Sequence, residues 1–290
     1  MNVGKREKII VDWINSYCNK ASFEPKSLIV GISGGIDSSV VSTLCALTNR
    51  RTLVLSMPIK QIKSQHDLSI EHGNWLTKKF KNVEHKIIEL EDLFENFEKI
   101  LGEFNNEHGF ANSRARLRMT TLYQVAAANF GIVVGTGNKV EDFGVGFYTK
   151  YGDGGVDISP IADCSKTQVW DMGRELGINQ SIIDAAPTDG LWSDGRNDEQ
   201  QLGMTYQELE EAMSNSNSVN RSKFLKIREK NITNKVISII SKICKFLSFN
   251  GTKPSLIKVK KVTIPIKIHK NEDKIIQLKF FIILNILNNR

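Results

Sequence analysis

Four short apolar runs alternate with segments of mixed polarity in the first half of the chain. They cover residues 27–33, 51–58, 83–90 and 131–137. Each run has the length of a strand, and the segments between them are long enough for crossover helices. Strands of a parallel sheet that is covered on both faces read as nearly continuous apolar runs. The pattern therefore predicts an α/β fold, a doubly wound parallel sheet with helices on both faces.

Helical periodicity is clearest at the beginning of the chain. Apolar side chains recur there at spacings of three and four, which predicts an amphipathic helix with the apolar residues Ile9, Ile10, Trp13, Ile14 and Tyr17. Further along, residues 165–176 and 205–213 are predicted to be helices, the second with Thr205 as its N-cap. The turn-rich residues 186–203 between them predict a functional loop, with a disordered surface excursion as the alternative.

Composition changes near residue 230. Residues 231–290 hold 12 Lys and Arg against 2 Asp and Glu, together with 14 Ile, so the net charge of +7 comes from this tail. The tail has few aromatic residues, and the rest of the chain is slightly acidic, which argues against nucleic-acid binding. We expect one catalytic domain over residues 1–230 and an atypical Lys/Ile/Asn-rich tail over residues 231–290, as a small subdomain or an appendage.

Apolar content and cysteine spacing limit the cellular compartments in which we expect the protein. No apolar run approaches the roughly 20 residues of a membrane span, and the first residues lack the apolar core of a signal peptide. The four cysteines are widely spaced, which predicts free thiols and neither a disulfide framework nor a zinc site. We therefore expect a cytoplasmic protein with no membrane partner.

Residues 31–40, GISGGIDSSV, join the first predicted strand to a helix. Backbone N–H groups and the dipole at a helix N-terminus favour an anion. Gly34 and Gly35 allow close approach of the backbone, and Ser33 and Ser38 add hydroxyl groups. The stretch predicts a phosphate-binding loop, although its only charged residue is Asp37.

Ser33 to Ser38 resemble the S-G-G-x-D-S signature of the ATP pyrophosphatase loop, whose enzymes split ATP into AMP and pyrophosphate. The resemblance implies a fold like that of the adenine nucleotide alpha hydrolases. It also accounts for Asp37, which would repel bare phosphate but could hold a Mg²⁺ ion that bridges the phosphates. The alternative is a tight turn with an Asp near a helix N-terminus, where it stabilises the helix without a ligand.

Four further segments resemble NAD synthetase in order and spacing, over roughly residues 5–230. They are residues 112–119, 135–155, 186–191 and 202–210. The resemblance implies that ATP adenylates the carboxylate of deamido-NAD and that ammonia then displaces AMP to give NAD. It also implies a homodimer with the dinucleotide bound across the interface. No amidotransferase domain precedes the loop, so we expect ammonia to arrive free or from a partner.

The same resemblance implies the site residues. Mg²⁺ would be held by Asp37 and Glu141. ATP would be contacted by Ser33, Gly34, Gly35, Asp37, Ser38, Arg116, Thr136, Thr188 and Thr205. Deamido-NAD would be contacted by Arg116, Phe147, Lys150 and Asp153. The predicted catalytic residues are Asp37, Lys150 and Asp153, whereas Arg118 is expected to be structural because residues two apart do not share a helix face.

Two alternatives use the same loop differently. One is another ATP pyrophosphatase that acts on tRNA or on a nucleotide, and the other is a nucleotide-binding regulatory module without turnover. The absence of a basic, aromatic-rich domain argues against tRNA. The pairing of Asp37 with Glu141 argues against a pure regulatory module, which has no need for a metal site.

Overall fold

The structure, a computed structural model, describes residues 4–188 and 197–231. Its sheet contains four parallel strands in the order β3-β2-β1-β4. The strands are β1 (Ser27–Gly31), β2 (Thr52–Ser56), β3 (Val83–Ile87) and β4 (Gly131–Val133). All four predicted strands are confirmed, but each ends before the apolar run does, because the last residues of each run enter the loop that follows.

Helices surround the sheet and alternate with its strands. Their bounds are α1 (Lys5–Lys20), α2 (Ile36–Leu47), α3 (Lys63–Lys79), α4 (Glu91–Ile100), α5 (Glu107–Ala128), α6 (Lys166–Leu176), α7 (Gln180–Ile183), α8 (Asp198–Leu202) and α9 (Tyr206–Ser214). A 3-10 turn follows α4 at Gly102–Phe104, a π-helix spans Lys139–Val145, and residues 221–231 are helical.

Both faces of the sheet are covered, as predicted. Side chains alternate along β1, so that Leu28 and Val30 pack into a core with α1, α2 and α6. Ile29 lies on the opposite face, in a second core that contains Phe94 of α4 and Ala126 of α5. The first and fourth strands are neighbours, so the loops that follow them meet at one edge of the sheet.

The first helix is confirmed, but its buried stripe is narrower than the sequence indicated. Ile10 and Ile14 lie in the core, together with Cys18. Ile9 and Trp13 remain 59% and 45% exposed, and Tyr17 is 40% exposed. The apolar residues of α1 occupy a wider part of the helix surface than the part that packs into the core. A second apolar stripe therefore remains exposed to solvent.

The two helices predicted over residues 165–176 and 205–213 are confirmed as α6 and α9, and Thr205 is the N-cap of α9, as predicted. Ser165 and Thr205 each form a capping box, with Gln168 and Glu208 respectively. The turn-rich residues 186–203 are not a loop throughout, because α8 lies within them, capped by Asn197. A helix of five residues is too short to show a period. Residues 189–196 of this loop lie outside the described residues.

Three of the cysteines are buried and free, namely Cys18, Cys45 and Cys164, as expected. Across residues 4–188 and 197–231, no helix is long and apolar enough to cross a membrane. The predicted tail, apart from Asn231, lies outside the described residues, so the division of the chain near residue 230 stays a prediction.

Candidate active site

The loop between β1 and α2 presents a helix N-terminus at the edge of the sheet. Gly35 is the N-cap of α2 and has no side chain with which to cap the first N–H groups. Those donors have no partner within the helix and are left for an external acceptor. Gly34 has φ +87°, a left-handed conformation that glycine adopts without strain. The loop therefore has the geometry of an anion site.

The serines of this loop also shape it from inside. The backbone N–H of Ser33 donates to Ser38 Oγ at 3.2 Å, and Ser38 Oγ donates to the Gly35 carbonyl at 3.1 Å. The N–H of Gly35 in turn donates to Ser33 Oγ at 3.2 Å. These bonds lie within the loop, so the protein's own groups hold the turn in this conformation and preform the site.

Two carboxylates and one lysine meet beside the loop. Lys166 Nζ lies 2.5 Å from Asp37 Oδ2 and 2.8 Å from Glu141 Oε1. The Lys166 side chain is 2% exposed, and those of Asp37 and Glu141 are 17% and 14% exposed. Asn138 donates to the other oxygen of Asp37 at 3.0 Å. The predicted pairing of Asp37 with Glu141 is thus present, with an ammonium group between them.

Burial and charge act against each other in this cluster. Burial raises the pKa of Asp37, and the nearby Lys166 offsets this only in part. Burial also acts to raise the pKa of Glu141, but Lys166 and Tyr206 outweigh it, so that this pKa is lowered. Burial alone would lower the pKa of Lys166, whereas its two carboxylates raise it above the ordinary value. Lys166 is therefore charged at neutral pH.

The hydroxyl of Tyr206 lies between the carboxylates of Glu141 and Asp198. The Tyr206 hydroxyl donates to Glu141 Oε1 at 2.5 Å and lies 3.2 Å from Asp198 Oδ2. Burial and these carboxylates raise the pKa of Tyr206, so the phenol keeps its proton. The Tyr206 ring packs edge-on against Trp170, which fixes its orientation. The position of Glu141 is thus set by α6, α8 and α9 together.

A cavity of about 300 Å³ opens over the loop and the carboxylates. Most of the predicted site residues line it, namely Ser33, Gly34, Gly35, Asp37, Ser38, Thr136, Glu141, Phe147, Asp153 and Thr188. Asp153 also accepts the backbone N–H of Thr149 at 2.8 Å, which gives it a structural role. The structure therefore brings residues from six separate loops and helices to one cavity.

Three predicted residues do not line the cavity. Arg116 is exposed, and its Nε donates to the backbone carbonyl of Lys150 at 3.2 Å. Lys150 Nζ lies 4.9 Å from the centre of the Tyr151 ring. Thr205 caps α9 and accepts the N–H of Glu208 at 3.2 Å. Their roles as ligand contacts stay predictions.

Arg118 lines the cavity, although the sequence favoured a structural role for it. Its Nε donates to the Met57 carbonyl at 2.9 Å, so it is also anchored, as a structural residue would be. Burial lowers its pKa to about 10, which still leaves the guanidinium charged at neutral pH. Of the two arginines, only Arg118 lines the cavity.

Sequence reasoning missed Lys166, Asn138, Tyr206 and Asp198. A signal for Lys166 was available, because a cation in the first turn of a helix opposes the helix dipole. Lys166 directly follows the N-cap Ser165 and has no local acidic partner in that turn. The unfavourable interaction of the Lys166 cation with the helix dipole indicates that carboxylates from distant segments stabilise it.

The residues present fit a Mg²⁺ ion that is shared with substrate. Among the described residues, no group of three or more His, Cys, Asp or Glu could hold a metal alone. Mg²⁺ bound with phosphates needs only one or two protein carboxylates, all its ligands being oxygen. Asp37 and Glu141 supply such a pair, and Lys166 shows that a cation is stabilised between them.

Known proteins resemble this chain over most of its length. The family model for NAD synthase matches residues 7–254. The NH(3)-dependent NAD(+) synthetase of Mesoplasma florum is 39% identical over 210 residues, which is 69% of this chain and 80% of that protein. The enzyme of the same name from Methanococcoides burtonii is 36% identical over 217 residues, or 73% and 80% of the two chains.

Solved structures agree with this relationship. The NMN synthetase of Francisella tularensis has a TM-score of 0.72 and 31% identity, and the match covers 80% of this chain and 93% of that one. The NH3-dependent NAD synthetase of Campylobacter jejuni has a TM-score of 0.63 at 23% identity, covering 89% and 100%, and supports the fold. By family model, sequence identity and coverage, the chain belongs to the NAD synthase family and is a C–N bond-forming ligase of the NH3-dependent type.

Proposed function

We propose that the cavity over the β1–α2 loop is where this chain converts deamido-NAD, ATP and ammonia to NAD, AMP and pyrophosphate. One observation carries the proposal: the preformed loop, Lys166 and the carboxylates of Asp37 and Glu141 all line one cavity. A helix N-terminus and an ammonium group can hold phosphates, and the carboxylates can hold a cation. The arrangement thus meets the needs of ATP cleavage.

The reaction needs two displacements. A carboxylate oxygen of the nicotinate attacks the α-phosphorus of ATP, and the bond to pyrophosphate breaks. Ammonia then attacks the carbonyl carbon of the acyl-adenylate, loses a proton, and expels AMP. In our proposal Ser33, Gly34, Gly35 and Ser38 hold the phosphates, while Lys166 neutralises the charge that develops on the leaving pyrophosphate.

Asp37 and Glu141 would hold Mg²⁺ between the protein and the phosphates of ATP. When bound, the ion would neutralise phosphate charge and support the departure of pyrophosphate. Asn138 and Tyr206 contribute by fixing the carboxylates, since each donates a hydrogen bond to one of them. Thr136 and Thr188 line the same cavity and remain our proposed ATP contacts, together with Arg116 and Thr205.

The acceptor would lie toward the other end of the cavity, near Phe147 and Asp153. Arg116 and Lys150 are joined by a hydrogen bond at the surface, where both cations could meet an anionic group of the substrate. A mononucleotide acceptor is the second candidate, because the NMN synthetase neighbour is 31% identical over most of both chains. Both acceptors carry the same nicotinate carboxylate, so the chemistry is unchanged.

A homodimer is part of the proposal. The exposed apolar stripe of Ile9, Trp13 and Tyr17 supports it, because such a stripe is stabilised by burial against a partner. Sedimentation equilibrium would test the oligomeric state, and a monomer at assay concentration would contradict the proposed homodimer. The cytoplasmic location and a separate source of ammonia also stay predictions.

The test is an assay of the purified chain with Mg-ATP and ammonium. Deamido-NAD and nicotinate mononucleotide are supplied in parallel, and AMP, pyrophosphate and the amide product are quantified. We expect amide product and AMP in equal amounts, with deamido-NAD as the better acceptor. Glutamine in place of ammonium should give little product. A higher kcat/KM for the mononucleotide would instead select the second candidate.

The variant Asp37→Asn tests the assignment of the site. It keeps the size of the side chain but removes a charged oxygen ligand, so turnover should fall by about a hundredfold or more while the protein stays folded. Asp67→Asn is the matched control, because Asp67 is exposed on α3 and pairs only with Lys63 at 2.7 Å in the described part of the chain. Near-normal activity of Asp37→Asn at saturating Mg²⁺ would contradict the proposed metal role.

A further inference from the structure

A chain of hydrogen bonds runs behind the β1–α2 loop, and its side chains do not line the cavity. His85 Nε2 on β3 lies 2.9 Å from Ser56 Oγ, at the last residue of β2. Ser56 Oγ lies 2.6 Å from Ser69 Oγ on α3. Ser69 Oγ donates to the carbonyl of Ile32 at 3.0 Å. Ile32 immediately precedes Ser33, so the chain ends at the start of the loop.

The three contacts fix the direction of every bond. A carbonyl oxygen only accepts, so the single hydroxyl proton of Ser69 lies on its bond to Ile32. The proton between the serines must then come from Ser56. Because Ser56 has no second proton, His85 must donate to it from Nε2. Burial lowers the pKa of His85, which agrees with a neutral ring that carries its one proton on Nε2.

We propose that His85, Ser56 and Ser69 are positioning residues for the phosphate loop of this enzyme. Ile32 lies beyond the end of β1, yet both of its backbone groups are held. Its N–H donates to the Leu55 carbonyl at 2.9 Å, and its carbonyl accepts from Ser69. Ile32 is therefore fixed as firmly as a residue inside the sheet, and Ser33 begins the loop from a set position.

Helix α3 also contacts the loop directly. A Cβ at Gly34 would overlap the carbonyl oxygen of Gln65 and lie 2.9 Å from the backbone nitrogen of Ser69. The backbone of α3 thus forms the floor under Gly34. Any shift of α3 relative to β1 would move this floor, and the Ser69 bond to Ile32 opposes such a shift.

The ring of His85 packs closely against the same helix at Gly73. A Cβ at Gly73 would overlap the ring atoms Cε1 and Nδ1 of His85. His85 therefore packs directly on the backbone of α3, with Ser69 one turn before Gly73. The hydrogen-bond chain and this packing together join β3, β2, α3 and the start of the loop.

The first test separates positioning from simple stability. Ser69→Ala should raise the KM for ATP by about five- to tenfold, because the loop no longer meets the phosphates in its preformed position. The kcat and the KM for deamido-NAD should change less than about twofold. Ser42→Ala is the matched control: it removes another buried serine hydroxyl, whose partners are the Ser39 carbonyl at 3.1 Å and His72 Nε2 at 2.9 Å and not Ile32. Its KM for ATP should not change.

The inference rests on the proposed function, and calorimetry of ATP binding keeps the two apart. If the wild-type protein does not bind ATP, the proposed site fails. If it binds ATP and folded Ser69→Ala binds it equally well, only the positioning role fails. An equal rise in the KM for ATP in Ser42→Ala would also overturn that role, because the effect would then be one of general stability.

A second measurement needs no variant that must fold. Long-range ¹H–¹⁵N NMR spectra of the wild-type protein at pH 7.5 should show His85 protonated on Nε2 and unprotonated on Nδ1. The opposite tautomer would overturn the deduced direction of the chain.

His85→Gln, which keeps a donor toward Ser56, should retain more of the ATP affinity than His85→Leu. Equal affinities of the two variants would contradict the need for a donor.

Discussion

Lys166→Met should destabilise the fold strongly, because it removes the cation between two buried carboxylates. From the bonds of 2.5 and 2.8 Å to Lys166 Nζ, the bound oxygens of Asp37 and Glu141 lie at most about 5.3 Å apart. At an effective dielectric constant of about 20, two such charges repel by about 3 kcal/mol. Loss of one partner from a buried ion pair typically costs about 3–5 kcal/mol, which agrees with this value.

Denaturant unfolding followed by circular dichroism measures the loss. At pH 7.5 the free energy of unfolding of Lys166→Met should fall by about 3 kcal/mol. The deficit should shrink as the pH is lowered, because the uncompensated carboxylates have raised pKa values in the folded state and take up a proton there more readily than in the unfolded chain. Saturating Mg²⁺ should also restore more stability to this variant than to the wild type.

Lys63→Met is the matched control for this prediction. Lys63 pairs with Asp67 at 2.7 Å, but its side chain is 86% exposed, so the same substitution should leave the free energy of unfolding unchanged within error. A loss for Lys166→Met no larger than that of the control would refute the reasoning. It would mean that the two carboxylates are not both charged in the wild-type protein.

Two further predictions concern His72 and Gly34. Burial lowers the pKa of His72 to about 4 from 6.5, so its contribution to stability is complete above pH 6.5 and is lost as the pH falls toward 4. His72→Gln should remove up to roughly 3 kcal/mol of this acid sensitivity in denaturant titrations, and an unchanged pH dependence would contradict the assignment. Gly34→Ala should weaken ATP binding by about tenfold or more, because φ is +87° and a Cβ would overlap the Gln65 carbonyl. In the same calorimetric assay Gly102→Ala should bind ATP normally, since a Cβ there meets nothing within 4 Å.

The parts of the fold that the sequence predicted depend on local signals. A parallel strand buried on both faces is apolar throughout, so the runs that contain Ile29 and Val133 indicated β1 and β4 directly. The loop from Ser33 to Ser38 was identifiable because its serines and glycines act within six residues of one another. The caps at Ser165 and Thr205 are local for the same reason.

The parts that escaped prediction depend on contacts between distant segments. Lys166 meets Asp37 across 129 positions of the chain, and Tyr206 meets Glu141 across 65. No short pattern records such a pairing. Arg116 and Arg118 show the same limit: spacing showed that they point apart, but only the packing of α5 against Met57 decides which of them enters the cavity.

Under the proposed function, Lys166 also explains how two carboxylates can lie beside a phosphate-binding loop. Without a cation, Asp37 and Glu141 would repel each other and any approaching phosphate. Their hydrogen bonds to Asn138 and Tyr206 orient them but add no positive charge. The ammonium of Lys166 supplies that charge within the protein itself. The protein's own groups therefore hold the carboxylates in place, and the loop keeps its shape through the hydrogen bonds of Ser33 and Ser38.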